Sequence, residues 1–184
     1  MKKFNIDFIS YPQLSLNQKK LVLDWRNDRQ YAVYMVNQQP ISLDAHLKFC
    51  AQLQERDDCF YFLVQKNGEP CGTINFRQTT LPSGITGWLL GLIITNPADH
   101  LAPCCFLGTL GFMDFLRARK TISSIMKNNL ASYFFNTVEL EYRITEETPE
   151  CFYACRSMEE NRLFLKKCIE NNKFCIKDCS FKFY

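Results

Sequence analysis

Lys66-Asn67-Gly68-Glu69 constrains the fold of this chain more than any other stretch. Asn-Gly is the strongest short signal for a two-residue hairpin, because both central positions of the turn need positive φ, which Asn tolerates and Gly adopts freely. Alternating apolar runs flank it, Cys59 to Gln65 before and Cys71 to Phe76 after. The pattern predicts two adjacent antiparallel strands in the first half of the chain.

The rest of the chain organises around that hairpin. Phe4, Ile6 and Phe8 alternate with polar neighbours and predict a first strand. Ser15 is a helix cap ahead of Leu16, Leu21, Leu23 and Trp25, and that helix carries Arg26 and Asn27 near its end. A loop follows through Met35 to Pro40. Ser42 caps a second helix with Leu43, Leu47, Cys50 and Leu53 at helical spacing and His46 beside them. Beyond the hairpin, Pro82-Ser83-Gly84 marks a turn and Trp88 to Thr95 a strand, which Asn96-Pro97 ends. His100 to Arg117 reads as a helix despite Gly108 and Gly111. Then come a strand over Thr121 to Met126, a helix over Asn129 to Val138, and strands over Leu140 to Ile144 and Cys151 to Arg156. A helix over Glu159 to Glu170 and a strand over Phe174 to Phe183 close the chain. This order is an α/β layout, a mixed central sheet flanked by helices. Residues 1–184 read as a single domain, with no internal repeat and no flexible linker.

Composition narrows the function classes. Hydrophobic residues make up 47% and charged residues 22%, a globular balance. A net charge of +3 without a basic stripe argues against a nucleic-acid binder. The most apolar stretch, Ile85 to Ile94, is one strand long and far short of the roughly 20 residues that a membrane-spanning helix needs. No export signal precedes the first strand, so the chain reads as cytoplasmic. The chain has 10 cysteines, several inside apolar runs (Cys50, Cys71, Cys104, Cys105), which read as free buried thiols. No C-x-x-C pair occurs and the only histidines are His46 and His100, so no metal site is expected.

Local words carry a family resemblance. Leu21-Val-Leu-Asp-Trp-Arg-Asn27, Met35, Asn37-Gln-Gln-Pro-Ile-Ser-Leu43 and His46-Leu-Lys-Phe49, followed by Phe60-Tyr-Phe-Leu-Val64 and Pro70-Cys-Gly-Thr-Ile74, resemble the N-terminal half of PseH-type enzymes. These are GNAT N-acetyltransferases, and the match spans roughly residues 20 to 80. The resemblance implies a GNAT fold, acetyl-CoA as co-substrate, and a UDP-linked dideoxy amino-sugar of the pseudaminic acid type as acceptor. It places Arg26, Met35, His46 and Phe49 on the substrate. That suits their chemistry: arginine forks onto phosphate, histidine bonds a phosphate or hydroxyl, and Met and Phe cover a sugar methyl or a uracil face.

A second, weaker stretch of the same resemblance covers Arg119-Lys-Thr-Ile-Ser-Ser-Ile-Met126, Asn129, Ala131-Ser132 and Phe135. It implies that acetyl-CoA is held by backbone groups at Leu92, Ile93 and Ile94, by the loop containing Leu101, Ala102, Cys104 and Cys105, and by Asn129 and Phe135. Here the chain departs from the family. The loop Pro97-Ala-Asp-His-Leu-Ala-Pro-Cys-Cys105 contains no glycine, Pro103 has no N–H to give, and Asp99 repels phosphate. Ser124 stands where the family has a carboxylate and Asn136 where it has a tyrosine acid; neither titrates near neutral pH, and Tyr133 one turn away is the available substitute.

Two further readings stay open. In an alternative register, Gly111-Phe112-Met113 is the cofactor strand, Arg119 to Ser124 the loop and Tyr133 to Phe135 the central helix, and Asn161 opens the late one. In function, the alternatives are a GNAT acting on a protein N-terminus or another small amine, or a degenerate GNAT-like binding or regulatory module that has lost acetyl-CoA and catalysis. No nucleic-acid or membrane partner is expected, and a homodimer is compatible with the sequence.

Overall fold

The structure, a computed structural model, describes residues 4–95, 109–171 and 176–182. Its frame is one sheet of eight strands: β1 (Phe4–Ser10), β2 (Cys59–Lys66), β3 (Glu69–Thr80), β4 (Thr86–Ile94), β5 (Lys120–Met126), β6 (Ile144–Glu147), β7 (Cys151–Ser157) and β8 (Ile176–Lys182). They lie in the order β6-β7-β5-β4-β3-β2-β1-β8. Neighbours are antiparallel except β4 with β5 and β1 with β8.

The hairpin between β2 and β3 forms as the Asn-Gly step predicts, with φ of 52° at Asn67 and 88° at Gly68. Asn67 also ties the turn to β1: its Oδ1 accepts the Asn5 N–H and its own N–H donates to the Asn5 carbonyl, both at 3.0 Å.

The helices divide between the two faces of the sheet. One face carries α1 (Leu16–Asn27), the short α2 (Arg29–Ala32) and α3 (Leu43–Gln52). Both predicted caps form. Ser15 accepts from the Gln18 N–H while Gln18 returns its side chain to the Ser15 N–H, and Ser42 accepts from the Ala45 N–H. Each cap is worth about 1 kcal/mol. Beneath these helices Tyr11, Leu14, Val22, Cys50, Leu53, Cys59 and Leu63 form a buried layer.

The opposite face carries α4 (residues 109–115), α5 (Leu130–Phe134, continued by a π-helical turn over Phe135–Glu139) and α6 (Met158–Glu170). Phe112 of α4 sits on a row of three strand phenylalanines, with ring centroids 5.2 Å from Phe60, 5.3 Å from Phe62 and 5.1 Å from Phe76. Phe8, Phe62 and Phe76 are fully buried there, which makes this the larger core.

The sequence expectations fare unevenly. The strand expected over Leu140 to Ile144 is instead β6, Ile144–Glu147. Leu140 and Tyr142 alternate because they are anchored by side chains: Arg156 donates to the Leu140 carbonyl, and the Tyr142 hydroxyl pairs with Thr121 Oγ1 at 2.7 Å. The alternative register is overturned, since Arg119 to Ser124 is not a loop: Lys120–Met126 is strand β5, paired along its length with β7. The helix expected over His100 to Arg117 is seen at residues 109–115. The proposed cofactor loop, with Leu101, Ala102, Cys104 and Cys105, lies outside the described residues. Among the described residues no helix is long and apolar enough to cross a membrane.

Candidate active site at a fork in the sheet

β4 and β5 begin as partners and then part. Their pairs are Trp88 with Thr121, Leu89 with Ile122 and Leu90 with Ser123, yet β4 runs on to Ile94 and β5 to Met126. Each strand is held along its outer edge, β4 by β3 up to Ile94 and β5 by β7 up to Met126. The sheet therefore opens between them as a fork.

The fork exposes a backbone edge. The Thr95 N–H donates to the Cys71 carbonyl of β3 at 3.0 Å. Amide direction alternates along a strand, so the N–H and C=O groups of Leu92 and Ile94 point the other way, toward β5. No strand pairs with them among the described residues. The Ile93 backbone faces β3, its partner there being Thr73.

The closed end of the fork is polar. Ser123, on the last rung, donates to Asn136 Oδ1. Asn136 Nδ2 donates in turn to the Ser132 carbonyl at 2.8 Å and to Ser132 Oγ at 3.3 Å. Asn136 is buried, and this network uses both ends of its amide. Asn129 caps α5, its Oδ1 accepting the Ser132 N–H at 3.0 Å, and Phe135 packs on the larger core.

The residues expected to be catalytic are not together. Ser124 follows Ser123 on β5 and so faces the other side of the sheet, opposite Tyr153 in the ladder. Tyr133 lays its ring 5.6 Å from Phe152 of β7, on the side of β5 away from β4. Asn136 alone of the three stands at the fork.

The expected substrate residues all lie on the face carrying α1 to α3, in two groups. Arg26 and Met35 belong to the end of α1 and the loop that follows. Arg26 Nη2 donates to the Asn37 carbonyl, and the neighbouring Asn27 exchanges two hydrogen bonds with the Ile41 backbone, both at 2.9 Å. These contacts hold the loop down. Arg26 Nη1 is buried with no partner among the described residues, and burial lowers the pKa of the guanidinium. Met35 is half-buried.

His46 and Phe49 belong to α3. The His46 ring, 5% exposed, packs edge-on to Tyr11 with centroids 5.9 Å apart and lies 3.5 Å from Cys50 Sγ. Burial pushes its pKa below the ordinary histidine value and pushes the Cys50 thiol up to about 11. Phe49 meets Tyr61 of β2 at 90° with centroids 4.9 Å apart.

Two polar residues at the fork were not found from sequence. The Tyr31 hydroxyl of α2 lies 3.4 Å from the Ile94 carbonyl, at the open end of β4. The Asn75 amide lies over Gly91: a Cβ at Gly91 would fall 2.4 Å from Asn75 Oδ1, so any other residue there displaces the amide. The one available signal was a lone amide in the apolar run Cys71 to Phe76.

No protein-family model matches the chain, and no curated protein sequence does. Solved structures match well. The N-acetyltransferase PseH of Campylobacter jejuni superposes with a TM-score of 0.62 at 17% identity, covering 83% of this chain and 97% of that one. FdhC, described as a nucleotide-linked sugar GNAT, gives a TM-score of 0.68 at 14% identity, with 95% and 97% covered. The spermidine N-acetyltransferase of Vibrio cholerae, solved with CoA and spermine, gives 0.68 at 12% identity, with 83% and 95% covered. The fold is that of the GNAT N-acetyltransferases.

Proposed function

We propose that the chain is a cytoplasmic acetyl-CoA-dependent N-acetyltransferase whose acceptor is the amino group of a UDP-linked dideoxy amino-sugar. The observation that carries the reading is the edge of β4 at Leu92 and Ile94, which faces the fork and which no strand pairs among the described residues. An open strand edge pairs with an extended ligand that has amides of its own, and the pantetheine arm of acetyl-CoA is such a ligand. An N–H on that edge also serves as a donor to a thioester carbonyl, where negative charge develops during attack.

The reaction is direct attack of a neutral amine on the thioester carbon, with the C–S bond breaking as the new C–N bond forms. The protein's main contribution is to hold the two reactants in contact, which removes a large part of the barrier. No carboxylate stands in for Ser124, and the Asn136 amide is consumed by Ser123 and Ser132, so the amine's proton leaves through water. Arg26 supports a phosphate-bearing acceptor, since its Nη1 is buried without a partner among the described residues and a phosphate oxygen satisfies such a donor. The similar structures include PseH and FdhC but also a spermidine N-acetyltransferase, so the preference for a nucleotide-sugar over a polyamine rests on Arg26.

The saturated Asn136 favours a second reading, a degenerate GNAT-like binding or regulatory module that has lost acetyl-CoA and performs no transfer. Thermal unfolding with acetyl-CoA, followed by release of free CoA thiol in the presence of the UDP-amino-sugar, separates the readings. The enzyme reading expects a raised midpoint, equivalent to about 2.7 kcal/mol at a hundredfold excess over Kd, together with turnover. An unchanged midpoint overturns the enzyme reading in favour of the module, and a raised midpoint without turnover overturns transfer to this acceptor.

A further inference from the structure

Phe49, Tyr61, Asn75 and Gly91 form a row across the face under α1 to α3. Phe49 packs on Tyr61, Tyr61 is the ladder partner of Asn75, and Asn75 is the ladder partner of Gly91. The row ends at the fork. Asn75 is half-buried, and its amide makes no hydrogen bond among the described residues. Gly91 and Ile94 are three residues apart on β4, so Asn75 and Tyr31 stand about 10 Å apart along the strand. That separation fits a hexose ring with its substituents.

The Tyr31 hydroxyl stands within reach of the Ile94 carbonyl, at 3.4 Å. A hydroxyl that donates to the Ile94 carbonyl keeps its Oη lone pairs for a second partner. Oη therefore acts as an acceptor beside the exposed edge of β4. An attacking amine needs such a partner: one N–H bonded to a fixed acceptor turns the nitrogen lone pair toward the thioester carbon.

We propose that the Tyr31 hydroxyl and the Asn75 side-chain amide together hold the acceptor at the fork. Oη of Tyr31 accepts an N–H of the attacking amine, and the Asn75 amide bonds a hydroxyl or acylamino group on the sugar ring. This rests on the acetyl-transfer reading and specifies its acceptor side. Proton balance does not involve Tyr31: the amine loses one proton to water as nitrogen bonds the carbonyl carbon, and the departing sulfur, which keeps the C–S electron pair, gains one.

The test compares wild type with Tyr31→Phe, Asn75→Ala and Gly91→Ala, using acetyl-CoA and a UDP-linked 4-amino-4,6-dideoxy sugar. Losing one hydrogen bond to the reacting amine lowers kcat about tenfold in Tyr31→Phe, and losing a bond to a remote part of the ring raises KM about tenfold in Asn75→Ala. Gly91→Ala keeps the Asn75 amide in the protein but displaces it, and reproduces the KM effect. All three variants retain the acetyl-CoA midpoint shift, and their unliganded midpoints report any loss of stability separately, Gly91→Ala being expected to lower it because its Cβ displaces the Asn75 amide. A variant at either residue that keeps both wild-type constants removes that residue from the proposal. Absence of an acetyl-CoA shift in wild type brings down the acetyl-transfer reading itself, and this proposal with it.

Discussion

Ser123 Oγ lies 2.5 Å from Asn136 Oδ1, on the last rung that joins β4 to β5. This bond locks helix α5 to the strand at the point where the sheet opens. Asn136→Ala removes the Ser123 hydroxyl's partner and the side-chain bonds to Ser132, whose carbonyl keeps the Phe135 N–H, at a cost of about 1 kcal/mol in this part-buried place. Urea unfolding will show it as a lower midpoint with unchanged m.

The exposed edge of β4 can be tested with a backbone change. Proline at Ile94 removes an N–H that no strand pairs, so the ladder with β3 persists. Ile94→Pro is expected to fold, to lose about 1–2 kcal/mol of packing, and to give no midpoint shift with acetyl-CoA. A full shift in this variant means the Ile94 N–H takes no part in binding.

His46 makes stability depend on pH. Its folded pKa lies below the ordinary 6.5 because burial disfavours the charged ring. Above about pH 6.5 the ring is neutral in both states and costs nothing. As pH falls below that value the unfolded chain takes up a proton first, so stability drops until the lowered folded pKa is passed. His46→Phe is expected to flatten this part of the stability curve, as measured by denaturant midpoints between pH 5 and 8.

Arg156 is a structural cation. Its guanidinium lies 4.1 Å from the Tyr142 ring and 4.8 Å from the Phe164 ring, and it donates to the Leu140 carbonyl. Arg156→Ala removes both ring contacts and frees the loop before β6, at about 2 kcal/mol or more. Thermal unfolding will report the loss, and acetyl-CoA binding per folded molecule will stay at the wild-type level.

Much of the fold was readable locally. Asn67-Gly68 defines its hairpin, and Ser15 and Ser42 define their helix starts, because turns and caps depend on residues a few positions apart. Leu140 and Tyr142 misled for the same reason: their alternation mimics a strand, but their partners, Arg156 and Thr121, are distant in sequence. The site was less legible. The fork exists only because β3 and β7 hold β4 and β5 by their outer edges, a relation no local pattern encodes. Tyr31 and Asn75 gain meaning only beside that fork. His46 shows the converse, since helical spacing cannot tell a ring over a pocket from a ring packed on Tyr11 and Cys50.

The pairing of β1 with β8 has a kinetic consequence. Ser180 donates to Asp7 across a separation of 173 residues, and the two strands run parallel. Contacts so far apart in sequence close the largest loop in the chain and gain nothing until the intervening residues have collapsed. The outer strand thus joins last in folding and is positioned to leave first in local opening, so amide hydrogens along Ile176–Lys182 should exchange ahead of those in β2 and β3.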